Sequence, residues 1–259
     1  MQEQLEIVIL QSDLVWENPI KNKDNFSKKI RNITTKVDLI ILPEMFTTGF
    51  TINAEKAAER MNGSTVKWML DLADEKNALL MGSIVIKEKD NFYNRFIIAF
   101  PNGGLKYYDK RHLFSYAKED KVYTAGKNKL IFEYKGFKIC PLICYDLRFP
   151  VWSRNTEEVD LIIYIANWPN ARIMAWDTLL KARAIENLCY VVGLNRVGVD
   201  KNNLIYVGHS AAYNALGETI LNCKPNTEDI GSISLDKNYI TETRSKFRFL
   251  DDGDEFEIL

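Results

Sequence analysis

Short apolar runs rich in β-branched residues alternate with helix-patterned stretches along all 259 residues, which calls for a layered α/β architecture rather than separate α and β domains. The strand candidates are 5–10, 37–42, 78–86, 94–100, 129–134 and 137–144, then 159–167, 189–197, 204–212, 218–223 and 231–236. Between the first two, Phe26, Ile30 and Ile33 fall at helical spacing. A second helix is capped by Ser64 and turns Val66, Met69, Leu70 and Ala73 inward, and a third covers 172–188. Pro43, Pro101, Pro150 and Pro169 follow strand-like runs and set up loops, the usual place for chemistry. VDLII occurs at 37–41 and again at 159–163, which reads as two buried strands in similar surroundings, each delivering a loop to one end of a sheet. No linker interrupts the pattern, so 1–259 is expected to be a single domain. Its charged tail, from about 240 to 259, is expected to drape over a partner subunit or lie disordered.

Charge and composition remove several function classes. Lys+Arg 34 against Asp+Glu 35 leaves no basic excess for a phosphate backbone or an anionic membrane surface, so nucleic acid is not expected as a partner. The opening MQEQLEIVIL lacks the basic start and long apolar stretch of a signal peptide, and no other run reaches membrane-spanning length; a cytoplasmic protein with no membrane partner is expected. Cys140, Cys144, Cys189 and Cys223 are too few and too scattered for a disulfide framework, which implies free thiols. Cys140 and Cys144 are four apart, unlike a CxxC site, and only His112 and His209 are available beside them. No metal and no cofactor are therefore expected.

Three strand ends carry chemically capable side chains. Cys144 closes the apolar run FKICPLIC and is followed by polar residues and a proline, where a side chain stands at a strand-to-helix turn with backbone N–H groups facing any oxyanion. Glu44 ends VDLIILPE and would aim a carboxylate into the mouth of a sheet, in a position suited to proton transfer. Lys110, in YYDKRHLF, stands among aromatics that would desolvate its ammonium. Each feature alone also fits a bland role: a buried small hydrophobe, a loop glutamate, a surface lysine. Together, an acid, an ammonium and a thiol at strand ends form a minimal kit for acyl transfer.

LPEMF around Glu44, YYDKRHLF around Lys110 and ICYDLRFP around Cys144 resemble the Glu, Lys and Cys segments of the nitrilase superfamily, in that family's order. The stretch NWPNARIMAWDTLLKARAIENLCYVVGLNRVG is similar to its bacterial omega-amidase branch, and the likeness spans nearly the whole chain. The resemblance implies a four-layer α-β-β-α sandwich, a second glutamate at Glu119, and a homodimer helped by Phe247, Phe249 and Phe256. It also implies hydrolysis of the omega-amide of a short 2-oxo dicarboxylic monoamide through a thioester on Cys144. In that scheme the Tyr145 backbone N–H joins Lys110 at the oxyanion, Arg172 holds the substrate carboxylate, and Trp168 and Phe46 wall the carbon chain. The alternatives are a general aliphatic amidase or carbamoylase, a Cys-His hydrolase using His112 or His209, and a catalytically silent assembly module.

Overall fold

The chain is described by a computed structural model over residues 4–258; the first three residues of the N-terminal stretch and the last residue of the expected tail lie outside the described residues. In the first half of the chain, β1 (Gln4–Gln11), β2 (Leu39–Ile41), β3 (Leu79–Glu88), β4 (Asn91–Ala99) and β5 (Leu105–Asp109) lie side by side. In the second half, β6 (Phe132–Tyr134), β7 (Phe137–Ile143), β8 (Leu161–Ala166) and β9 (Tyr190–Asn195) begin another sheet. A detached hairpin of β10 (Val197–Val199) and β11 (Ile205–Val207) follows. Next, β12 (Ala211–Tyr213) and β13 (Thr219–Asn222) extend the second sheet, and β14 (Asp229–Asp236) crosses back to pair with β1. The two six-stranded sheets run in the orders β14-β1-β2-β3-β4-β5 and β13-β12-β9-β8-β7-β6.

Side-chain alternation decides what lies between which layers. Leu5, Ile7 and Ile9 of β1, Leu39 and Ile41 of β2, and Phe96 and Ile98 of β4 point toward the second sheet and share one core with Ile139, Ile163 and Val191. Their neighbours Val8, Leu10, Ile40 and Ile97 point the other way. There they meet Phe26 and Ile30 of α1 (Pro19–Arg31); after the short α2 (Ala54–Ala57) comes α3 (Ser64–Lys76), which adds Val66 and Met69 to the same core. Each strand thus serves two cores with its two faces. Beyond the second sheet, after the single-turn α4 (Pro150–Ser153), α5 (Ile173–Asn187) lays Trp176 and Leu180 on β9. A Cβ at Gly193 on β9 would collide with both, so the glycine lets this helix approach closely. The α-β-β-α sandwich expected from the sequence is the fold observed.

Several local readings change. The run 189–197 breaks at Arg196, whose buried guanidinium bonds Asp13 and the Leu14 carbonyl and draws the chain out of the sheet into the β10–β11 hairpin; the run 204–212 divides in the same way. β5 carries no run in the strand forecast, because its Leu105, Lys106 and Tyr107 are exposed. Ser64 is the first helical residue of α3 rather than its cap. The orphan N–H of Thr65 bonds instead to the Glu59 carboxylate at 2.8 Å. Leu72 is buried on that helix while Leu70 is only half-buried, and Ile33 lies beyond the end of α1. The segment from 240 onward is helical through Phe247: α6 (Lys237–Phe247) buries Ile240 and Thr243, and its Arg244 donates to the carbonyls of Leu188 and Val159.

Candidate active site

β2 and β5 of the first sheet and β7 and β8 of the second point their carboxyl ends to the same edge of the sandwich, where open α/β sheets expose loops that can bind ligands. From these ends come Glu44, Lys110, Cys144 and Asn167, and the antiparallel β4 brings Asn94 to the same level. The turn after β2 is fixed by the Met45 N–H on Ser83 Oγ at 2.8 Å, which turns Glu44 inward, fully buried. Lys110 follows β5 with its backbone N–H on the Asn94 carbonyl, and its ammonium is buried.

That ammonium donates to Glu44 Oε1 at 3.0 Å and to Glu119 Oε1 and Oε2 at 3.1 and 2.9 Å. Glu119 comes from a short 3-10 turn, where the Phe114 N–H donates to its Oε2 at 2.6 Å. Asn94 Nδ2 donates to Glu44 Oε1 at 2.8 Å and reaches Glu119 Oε1 at 3.5 Å. On the far side of Glu44, the Asn167 N–H donates to Oε2 at 2.8 Å, and Asn167 Nδ2 holds the Glu44 carbonyl at 2.7 Å. Both carboxylates are therefore held by donors from several elements. The Oδ1 atoms of Asn94 and Asn167 are buried without a hydrogen-bond partner.

Cys144 begins a 3-10 helix, Cys144–Arg148, with φ of +46°, a left-handed backbone that a side chain adopts only under constraint. The constraint is Asp146. Its buried carboxylate accepts from the Ile143 N–H at 3.0 Å, the His112 N–H at 3.0 Å and the Tyr108 hydroxyl at 2.8 Å, and its Oδ1 lies 2.8 Å from His112 Nδ1. The result is a sharp strand-to-helix turn that lifts the half-buried Cys144 thiol to the floor of a cleft of about 490 Å³.

The charges around the thiol set its resting state. Burial, and then the charge of the Glu44 carboxylate, push the Cys144 pKa well above the ordinary 9.0; Lys110 opposes them and is outweighed. Burial by itself would lower the Lys110 pKa, but Glu119, Glu44 and Cys144 carry it well above 10.5. Burial and the like charge of Glu44 raise Glu119 against the pull of Lys110. Two carboxylates around one ammonium disfavour a third negative charge, so the resting nucleophile is a neutral thiol, and the ammonium remains charged.

A carbon-nitrogen hydrolase family model matches residues 8–245. The chain belongs to the carbon-nitrogen hydrolase family. It is 43% identical over 254 residues to omega-amidase YafV of Escherichia coli (strain K12), covering 98% of each chain. It is 32% identical to the 2-oxoglutaramate amidase of Bacillus subtilis (strain 168), covering 95% of this chain and 96% of that one. A CN-hydrolase superfamily protein from Xanthomonas campestris, with an arsenic adduct in its active site, superposes with a TM-score of 0.96 at 41% identity, covering 99% of each chain. The nitrilase-superfamily, omega-amidase-branch resemblance read from the motifs is the one these comparisons support.

In this carbon-nitrogen hydrolase, Glu44, Lys110, Glu119 and Cys144 come together as the sequence suggested, and Tyr145, Trp168 and Arg172 line the same cleft. Phe46 does not. It is fully buried against Phe26 and Trp68 between the first sheet and its helices, in the turn after β2 that the Phe46 N–H pins to the Ser83 carbonyl at 3.1 Å; Phe50 lines the cleft in its place, 5.6 Å from the Lys110 ammonium. Neither histidine lines the cleft: His112 is stacked on Phe149 and held by Asp146, and His209 lies beside Asp177. Asn94, Asp146 and Arg148 were missed. Asn94 and Arg148 stand inside NRFIIAF and ICYDLRFP as ordinary polar residues, with no local signal to separate them from surface positions.

Proposed function

We propose that the protein is an amidohydrolase that cleaves the omega-amide of short 2-oxo dicarboxylic monoamides, such as 2-oxoglutaramate, to the dicarboxylate and ammonia. The observation that carries the chemistry is geometric: the buried Lys110 ammonium donates to both Glu44 and Glu119, and the Cys144 thiol is presented to the same cleft on a left-handed turn. Glu44 accepts the thiol proton as Cys144 attacks the amide carbonyl. The Lys110 ammonium and the Tyr145 backbone N–H hold the oxyanion, and Glu44 returns the proton to departing ammonia. Water, deprotonated by Glu44, then hydrolyses the thioester. Glu119 keeps Lys110 and Glu44 oriented.

The relatives named omega-amidase and 2-oxoglutaramate amidase support the substrate class, and the cleft offers Arg172 for the carboxylate and Trp168 as an apolar wall. Arg172 lies over the Phe114 ring at 5.0 Å and forms no ion pair among the described residues, which favours the binding role over a surface salt bridge. The test compares 2-oxoglutaramate with a neutral amide of equal length. The wild type should prefer the anion by ~1.5–3 kcal/mol of transition-state binding, and Arg172→Ala should lose that preference. Equal rates on both amides in the wild type would leave only a general amidase.

The same reading places the protein in the cytoplasm as a homodimer. Free cysteines, three of them buried, suit a reducing compartment. Exposed Phe249 and Phe256 suit a two-fold contact, while the partly covered Phe247 stacks on Phe249 at 5.3 Å.

A further inference from the structure

We infer that Arg148, absent from the sequence-derived candidates, is the second half of an anion clamp: with Arg172 it holds the carboxylate of a short anionic amide whose reacting carbonyl sits on Cys144. The inference rests on the substrate class proposed above and assigns how that class is selected.

Of the basic side chains lining the cleft, Lys110 is committed to Glu44 and Glu119, and Lys56 to Glu17. Arg148, Arg172 and Lys201 have no ion-pair partner among the described residues, and Lys201 stands exposed in the turn of the β10–β11 hairpin. The two arginines remain, both half-buried and both over aromatic faces: Arg148 over Trp168 at 5.0 Å, Arg172 over Phe114 at 5.0 Å. A guanidinium on a ring face has its orientation fixed while its N–H edges stay free to donate. Two such cations in one cleft repel each other until an anion arrives.

Trp168 ties the pair together. Its indole N–H donates to the Arg172 carbonyl at 2.8 Å while its ring carries the Arg148 guanidinium. Trp168 itself is locked, its backbone N–H on Asn195 Oδ1 at 2.8 Å and its carbonyl accepting from Asn195 Nδ2 at 2.9 Å. Arg148 also ends the 3-10 helix that Cys144 begins, so one short element spaces the backbones that carry thiol and guanidinium. Four residues at ~2.0 Å rise offset the two Cα atoms by about 8 Å along the axis, the scale of a ligand of a few carbons with its charge at the end remote from the amide.

The test is the ratio of kcat/KM for 2-oxoglutaramate to that for a neutral amide of equal length. Arg148→Met, which keeps the apolar stem, should lower this ratio about 10- to 100-fold, mainly through KM for the anion, and Arg148→Lys should fall between it and the wild type. A merely structural role would depress both substrates alike and leave the ratio in place, which would overturn the clamp. Binding gives a second readout. The 2-oxoglutarate Kd, measured calorimetrically, should weaken about 10- to 100-fold from Cys144→Ala to Cys144→Ala/Arg148→Met, and an unchanged Kd would likewise overturn it. A wild type without anionic preference would defeat the substrate class itself. A wild-type preference that survives in Arg148→Met would defeat only the clamp.

Discussion

Cys144 combines two conditions: a left-handed backbone that presents it and a charge environment that keeps it protonated. The second condition reverses what Lys110 alone would suggest, since a nearby ammonium by itself favours a thiolate. The sign of the pH dependence follows. A thiol whose folded pKa is raised adds stability below the ordinary 9.0 and loses it as the pH climbs through the folded value, and over the same window the thiolate appears. Alkylation of Cys144 by iodoacetamide in the substrate-free enzyme should therefore rise steadily beyond pH 9, and a plateau near neutrality would contradict the environment described. Cys144→Ser should fold, because the change in volume is small, yet lose at least ~1,000-fold in kcat. Retained turnover would sink the thiol mechanism. Glu44 and Cys144 were legible because each ends a contiguous apolar run, and Lys110 because YYDKRHLF resembles the family's lysine segment. Asn94 and Arg148 were not, since their importance lies in partners 50 residues away, such as Glu44, or in a ring reached only through the fold.

At the scale of elements, the legible ones carry a clear period. Most strands of both sheets read correctly where their residues form apolar runs, and α1 and α3 at their apolar spacing. The misreadings share a cause: a long-range partner overrides the local pattern. Arg196 pulls β10 out of the run that starts in β9, and Glu59 takes over the cap of α3. The polar α6 is held mainly by two buried residues and by Arg244 reaching backbone carbonyls across the fold. The β9–α5 contact offers a clean measurement. In Gly193→Ala the new methyl meets Leu180 and Trp176, so a loss of about 1–3 kcal/mol is expected from the midpoint of chemical denaturation, with kcat per folded molecule retained. A neutral result would mean that α5 moves freely over the sheet.

For the whole molecule, quaternary structure is open to a direct check: light scattering at micromolar concentration should report a dimer, and monomer alone would remove the proposed two-fold contact. The two-sheet origin of the site has a further consequence, for the order of events in folding. Glu44 meets Lys110 across 66 residues of sequence and Asn167 across 123, so no single hairpin or helix can assemble the catalytic group. Contacts of such separation form late, because chain closure must precede them. In refolding from denaturant, far-UV circular dichroism should recover before amidase activity, and the lag between them would time the docking of one half of the chain onto the other. Activity would then serve as a clock for the last step of assembly, read out by ammonia release.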